Sequence, residues 1–107
     1  MFEVFGTNDY KIVLNRYIQK ASLETKGIKT NLANVIGCRT SYLSQILNGN
    51  AHLSLEQAER LARHLRLSSL EREYFFLMIL YARAGTENLK ECFLEKMNEI
   101  VKMVSAT

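Results

Sequence analysis

A chain of 107 residues, 48% of them hydrophobic, is long enough to bury one modest core and too short for several domains. The net charge of +3 is too small to establish a polyanionic partner by itself. Its distribution is more informative, because residues 25–55 contain no Asp or Glu but do contain Lys26, Lys29 and Arg39. A basic segment without acidic residues is what attraction to phosphate requires.

Several classes of function lack the residues they need. Cys38 and Cys92 are far apart without metal-ligand spacing, so we expect a reduced, cytoplasmic setting and inert burial of Cys38. Because the chain shows no catalytic Ser, Cys, His or paired-carboxylate pattern and no glycine-rich phosphate loop, we expect no enzymatic activity, cofactor or metal site. The apolar run at residues 75–80 is too short to span a bilayer and the start lacks a signal-peptide pattern, so we expect no membrane partner.

The absence of proline and of strand-like alternation, together with recurring 3.6-residue periodicity, predicts an all-α bundle of five to six helices in a single domain, residues 1–107. In the first helix, Thr7, Asn8 or Asp9 provides the cap and the end lies near residues 25–27. Its apolar stripe consists of Tyr10, Val13, Leu14, Tyr17, Ile18 and Ala21. The opposite side carries Lys11, Asn15, Arg16 and Lys20, which are either solvated or in contact with a phosphate backbone.

Two short helical segments follow, joined at Gly37. Thr30 and Asn31 open the first, which has apolar residues at helical spacing (Leu32, Val35 and Ile36) and ends at the glycine. The second runs from about residue 40 to residue 48, is capped by Thr40 or a neighbour, and ends before Gly49. Its apolar residues are Leu43, Ile46 and Leu47. Its other face is short-chained, uncharged and able to form hydrogen bonds, which is unusual for a merely solvated surface.

Three further helices are predicted. Ser54 with Gln57, and Ser68 with the glutamate at position 71, form capping boxes, and Thr86 caps the last helix. The helix after Ser54 should bury Leu55, Ala58, Leu61, Ala62 and Leu65 and carry the ion pairs Glu56–Arg60 and Glu59–Arg63. Residues 74–81 are apolar almost all round and need cover on more than one side. The last helix has apolar residues at Leu89, Phe93, Met97, Ile100, Val101 and Val104. Part of these stripes closes the core; the rest forms either a dimer surface or more core.

Residues 28–67 resemble the helix-turn-helix of the phage-repressor-type (Cro/cI, or XRE) DNA-binding domains. The matching residues are Leu32-Ala33, Gly37, Leu43-Ser44, Ile46, Asn48-Gly49, Leu61-Ala62 and Leu65. The resemblance implies a lambda-repressor-like fold with its core at about 28–67 and additional helices at about 69–104. It also implies a bacterial or phage protein that is cytoplasmic and nucleoid-associated. A recognition helix at about 40–48 would enter the major groove, which is about 12 Å wide and admits one helix.

The same resemblance implies site residues. Base-edge contacts fall to Thr40, Ser41, Ser44 and Gln45, of which Gln45 is the most specific because its amide pairs twice with adenine. Phosphate contacts fall to Lys29, Thr30, Arg39, Tyr42, Asn48, Asn50 and His52. Lys29 stands where the family usually has glutamine, so it meets phosphate as a point charge. Tyr42 packing inward and His52 as a plain surface histidine stay open as alternatives.

A second resemblance spans most of the chain. Asp9-Tyr10, then the helix-turn-helix, then residues 70–75 and Ala82-Arg83-Ala84 are similar to the amino-terminal region of a group of bacterial conserved hypothetical regulators. A larger carboxy-terminal region follows in those proteins, so this resemblance implies that a sensing or effector region is missing from the present chain.

The sequence thus predicts a sequence-specific, double-stranded DNA-binding transcriptional regulator that acts as a homodimer. The alternative is a protein-interaction or antitoxin-like module that keeps the fold without specific DNA recognition. The mild charge and the apolar residues after Ser68 favour this alternative. Salt-dependent binding to random duplex DNA distinguishes the two hypotheses.

Overall fold

The computed structural model describes residues 3–106, which form six α-helices and no strand. The helices are α1 (Tyr10–Ala21), α2 (Ile28–Ile36), α3 (Thr40–Asn48), α4 (Leu55–His64), α5 (Ser69–Arg83) and α6 (Glu87–Ser105). The expected all-α fold is confirmed, and α3 has the predicted bounds. No helix among the described residues is long and apolar enough to cross a lipid bilayer.

The bounds of the first two helices differ from the prediction. α1 ends at Ala21 because the chain then turns, with the Ser22 hydroxyl donating to the Ile18 carbonyl at 2.7 Å. α2 begins at Ile28, two residues before the predicted start at Thr30. Gly27 supplies this earlier start, since its φ of 73° lies in the left-handed region that glycine adopts at little cost.

α5 is the central helix of the core. It packs against α1, α4 and α6, and it buries Tyr74, Phe75, Met78 and Ile79. Complete burial of a side chain such as Phe75 contributes about 1.5–3 kcal/mol. This confirms the expectation that residues 74–81 are covered on more than one side. α6 packs against α5 and, among the described helices, against no other.

The predicted helix caps are mostly present. Asp9 caps α1, Ser54 and Ser68 complete capping boxes on α4 and α5, and the Thr86 side chain accepts a hydrogen bond from the Leu89 amide. α3 is the exception, because its N-cap residue is Arg39 and neither Arg39 nor Thr40 provides a side-chain cap.

Two expectations for α4 are wrong. Leu55 is 39% exposed rather than buried, because it is the first residue of α4 and lies at a shallow surface groove beside Phe76 and Leu80. Glu59 and Arg63 form the predicted ion pair at 2.9 Å, but Arg60 does not pair with Glu56. The Arg60 guanidinium instead donates to the Ile36 carbonyl at 3.3 Å, which links α4 to the end of α2.

The apolar residues of α6 divide into two groups. Met97 and Ile100 are buried, while Phe93, Val101 and Val104 are half-buried and Leu89 is 44% exposed. Part of the predicted stripe therefore closes the core against α5. Val101 and Val104 also pack against the core, so Leu89 is the residue of the predicted stripe that is mainly exposed.

Candidate nucleic-acid interface

A tight turn at Gly37 sets the angle between α2 and α3. Its φ is 75°, its amide donates to the Asn34 carbonyl at 3.2 Å, and the Cys38 amide donates to the Ala33 carbonyl at 2.9 Å. These bonds satisfy carbonyls at the end of α2 that have no partner within the helix. The turn lets α3 begin at Thr40, three residues later.

One face of α3 packs against the core, and the opposite face is in contact with solvent. The anchoring residues are Leu43, Ile46 and Leu47, which are all buried as α3 packs on α1 and α2. Thr40, Ser41 and Gln45 are exposed, and Ser44 is half-buried. The structure therefore brings all four predicted base-contacting residues onto one helix, with Ser44 nearest the core.

Tyr42 also faces outward. Its side chain is 40% exposed, so the alternative in which it packs inward beside Leu43 is wrong. Asn48 and Asn50 are exposed at the end of α3 and in the following loop. The outer face of α3 itself is therefore polar and uncharged.

The amino ends of α2 and α3 differ from those of the other helices. Their N-cap residues, Gly27 and Arg39, provide no side-chain hydrogen bond, whereas α1, α4, α5 and α6 all have a side-chain cap. Lys29 and Thr30 are exposed in the first turn of α2, and Arg39 is exposed before α3. Amide groups without a side-chain cap and nearby positive charge make both ends suitable for an anion such as phosphate.

At the carboxyl ends of α2 and α3, side chains from other helices donate hydrogen bonds to main-chain carbonyls. Lys11 of α1 donates from Nζ to the carbonyls of Gly49 and Ala51 at 2.8 and 2.9 Å. Asn15 of α1 donates to the Leu47 carbonyl at 3.3 Å, and Arg60 reaches Ile36 as described. Positive groups at these ends also complement the helix dipoles. The prediction that Lys11 and Asn15 are solvated or contact phosphate is wrong, because both side chains hold the end of α3.

Residues 49–53, here called the 49–53 loop, are held by Tyr10 and Arg83. The Tyr10 hydroxyl lies 2.8 Å from His52 Nδ1 and accepts a hydrogen bond from the Leu53 amide at 3.3 Å. Arg83 of α5 donates to the Leu53 carbonyl at 3.2 Å. No local sequence signal points to these contacts, because Tyr10 and the loop are about 40 residues apart in the chain.

Burial favours the neutral form of both Tyr10 and His52, and nearby positive charge adds to this effect at His52. Burial raises the pKa of Tyr10 to about 12. Burial also lowers the pKa of His52, as do the positive charges of Lys11 and Arg83, while Asp9 acts in the opposite direction. His52 is half-buried and hydrogen-bonded, so the plain-surface-histidine alternative is wrong. Since Nδ1 is occupied, only Nε2 remains for a phosphate.

The cysteines show no sign of a reactive or metal site. Cys38 is half-buried and free, and its burial raises the pKa of the thiol, which favours the unreactive protonated form. Cys92 is free and exposed on α6. Within residues 3–106 no group of His, Cys, Asp and Glu is arranged to hold a metal ion.

Comparison with protein families identifies the central part of the chain. The helix-turn-helix family model matches residues 20–71, which include all of α2, α3 and α4. Comparisons with curated proteins and with solved structures found no match. The matched segment contains the Gly37 turn and the outward polar face of α3. Residues 20–71 are therefore a helix-turn-helix domain of the phage-repressor (XRE) type, which makes the chain a DNA-binding regulator in the general sense that this family implies.

Proposed function

We propose that this protein is a sequence-specific transcriptional regulator that places α3 in the major groove of double-stranded DNA. The observation that carries the proposal is the two-sided character of α3. Leu43, Ile46 and Leu47 fix it from behind, and short polar side chains cover its outer face. The major groove, about 12 Å wide, accepts one such helix, and its polar residues then face the base edges.

Gln45 is the residue that contributes most to specificity in this proposal. It is exposed on α3, and its amide can donate to adenine N7 and accept from adenine N6 at the same time. Thr40 and Ser41 are exposed near the amino end of α3, where a recognition helix meets the bases. Their hydroxyls can form hydrogen bonds with several different bases and therefore distinguish less well between base pairs. Ser44 is half-buried, so its hydroxyl extends less far from α3 toward the bases.

The backbone contacts come from two places. Lys29, Thr30 and Arg39 lie at the uncapped amino ends of α2 and α3, where amides and positive charge favour a phosphate together. Tyr42, Asn48, Asn50 and His52 provide contacts on and after α3. Because Lys and Arg supply much of the affinity, we expect binding to weaken steeply as salt rises.

A homodimer fits this function. Two recognition helices on a two-fold site lie about 34 Å apart, one turn of DNA. The side of α6 that carries the exposed Leu89 is the surface we assign to the second copy. We place the protein in the cytoplasm, in contact with the nucleoid.

Selection of bound sites from a random DNA pool tests the proposal. For Gln45→Ala we expect a relaxed base preference and a loss of about 1–3 kcal/mol at one base pair. Lys29→Ala is the matched control, because losing a phosphate contact should weaken binding to all sequences alike. The same consensus for Gln45→Ala as for the parent protein would refute the role of Gln45. Failure of the parent protein to enrich any site would refute sequence-specific binding.

A protein-interaction module is the second candidate function. The observation that favours it is the apolar groove between α4 and α5, where Leu55 is exposed and Phe76 and Leu80 are half-buried. A mobility-shift assay with random duplex DNA separates the candidates. Retardation at low salt that disappears as salt rises supports the regulator, and no retardation at low salt supports the interaction module.

A further inference from the structure

The hydrogen atoms around the Tyr10 hydroxyl can be assigned by counting donors and acceptors. The Leu53 amide donates to the Tyr10 oxygen, so the single hydroxyl hydrogen is available for another acceptor. His52 Nδ1 lies 2.8 Å away and accepts it if the imidazole is neutral with its proton on Nε2.

We propose that Tyr10 is a positioning residue for DNA binding, which holds the neutral His52 ring so that its Nε2–H donates to a DNA phosphate. The inference rests on the proposed function, because it assumes that the 49–53 loop meets the DNA backbone. It adds a residue of α1, outside the matched segment 20–71, to the determinants of binding.

The surroundings of His52 support a neutral donor over a charged one. The charged groups that face it are Lys11 and Asp9 from the start of α1 and Arg83 from the end of α5. Two cations oppose one anion, so addition of a proton to the ring is disfavoured. Protonation would also place a hydrogen on Nδ1 and remove the acceptor for the Tyr10 hydroxyl. A neutral imidazole can still form a hydrogen bond to a phosphate through Nε2–H.

The other contacts of the 49–53 loop help to fix the orientation of the His52 ring. Lys11 fixes the carbonyls of Gly49 and Ala51, and Arg83 fixes the carbonyl of Leu53. The backbone on both sides of His52 is thus held by α1 and α5. The Tyr10 hydroxyl then removes the remaining freedom, which is rotation of the imidazole ring.

The first test needs no DNA. In the wild-type protein with ¹⁵N-labelled histidine, we expect nuclear magnetic resonance to show Nδ1 of His52 unprotonated and Nε2 protonated near neutral pH. In Tyr10→Phe we expect the Nδ1 signal to shift, because it loses its donor. Tyr74→Phe is the matched control, since it removes another tyrosine hydroxyl bond, to the Thr7 carbonyl, in which neither Tyr10 nor His52 takes part. A wild-type proton on Nδ1, or equal shifts in the two variants, overturns the proposal.

The second test measures affinity for a random-sequence duplex of about 20 base pairs, two turns of DNA, because phosphate contacts do not depend on sequence. We expect Tyr10→Phe and His52→Ala each to weaken binding by about threefold to tenfold, as loss of one hydrogen bond predicts. Because both substitutions remove the same contact, the affinity of the double variant should equal that of the single variant that binds less tightly. Independent losses that multiply, or wild-type affinity in Tyr10→Phe, overturn the proposal. Tyr74→Phe should bind like the wild-type protein.

A pair of amide substitutions checks which ring nitrogen matters. The glutamine amide of His52→Gln reaches the position of Nε2, whereas the asparagine amide of His52→Asn reaches only that of Nδ1. We expect His52→Gln to retain more affinity than His52→Asn, and the reverse order contradicts the proposal. Failure of the wild-type protein to bind the duplex refutes the proposed function instead, and the nitrogen signals still report the Tyr10–His52 bond in that case.

Discussion

The α2–α3 pair and the three helices after it are stabilised in different ways. α4, α5 and α6 each begin with a local side-chain cap, from Ser54, Ser68 and Thr86. α4 and α6 also carry ion pairs between residues one turn apart. α2 and α3 have no side-chain cap. They are held instead by side chains from other helices that reach their last carbonyl groups.

This difference separates the stabilising contacts from the surface that is open to a ligand. Arg60 acts at the carboxyl end of α2, and Lys11 and Asn15 act at the end of α3 and just beyond it. The amino ends and the outer face of α3 are left without such contacts. A helix pair can therefore be fixed in the fold while its polar side chains stay available, because Lys11, Asn15 and Arg60 bond main-chain carbonyls and leave those side chains free of contact.

The largest effect is expected from breaking the turn inside the pair. In Gly37→Ala the alanine must adopt a φ of 75°, which is strained for a residue with a side chain. Its methyl group would also lie 3.0 Å from Arg60 Nη1 and would displace the hydrogen bond from Arg60 to the Ile36 carbonyl. We expect the free energy of unfolding to fall by about 2 kcal/mol. Gly85→Ala is the control, since nothing lies within 4 Å of its new methyl group. Chemical denaturation measures both, and equal losses would contradict this account.

Removing the hydrogen bonds that Lys11 donates at the end of α3 should have the next largest effect on stability. Lys11→Met keeps most of the aliphatic stem but leaves the carbonyls of Gly49 and Ala51 without their donor. We expect a loss of about 1–2 kcal/mol in the free energy of unfolding, reduced by the access of water to this site. Arg16→Met, on the exposed side of α1, should change stability by less than about 0.5 kcal/mol. If the two substitutions cost the same, Lys11 does not hold the end of α3.

Two serine substitutions compare a helix cap directly with the surface of α3 that we propose to contact DNA. Ser54→Ala removes the cap of α4 and should cost about 1 kcal/mol in thermal or chemical unfolding. Ser41→Ala, in the uncapped first turn of α3, should leave stability unchanged and weaken binding to a selected DNA site. A stability loss in Ser41→Ala with unchanged DNA binding would assign Ser41 to the fold instead of the interface.

Local signals explain what the sequence predicted well. The bounds of α3 follow from Gly37, Gly49 and the spacing of Leu43, Ile46 and Leu47. The two capping boxes lie within four residues each, so they are visible without any tertiary information. The same locality places the base-contact candidates on the exposed face of α3, although their contact with DNA stays a prediction.

Long-range contacts explain what the sequence did not predict. Lys11 has partners 38 and 40 residues away, and Tyr10 has partners 42 and 43 residues away. Nothing in the spacing of α1 distinguishes Lys11 from Arg16, since both belong to its polar side. Arg60 was expected to pair with Glu56 because sequence spacing shows only neighbours on the same helix, whereas its actual partner is on α2.

The smallest expected effect concerns the end of α4, which closes as α2 does but without a glycine. The Leu67 amide donates to the Ala62 carbonyl and the Arg66 amide to the Arg63 carbonyl, with Arg66 at a φ of 56°. Gly37 holds the equivalent position of α2. Arg66→Gly should therefore raise the free energy of unfolding by about 0.5 kcal/mol, because relief of left-handed strain exceeds the added flexibility of the unfolded chain. Arg16→Gly, in the middle of α1, should instead cost about 1 kcal/mol. A loss in Arg66→Gly would mean that the Arg66 side chain contributes more to stability than its backbone strain removes.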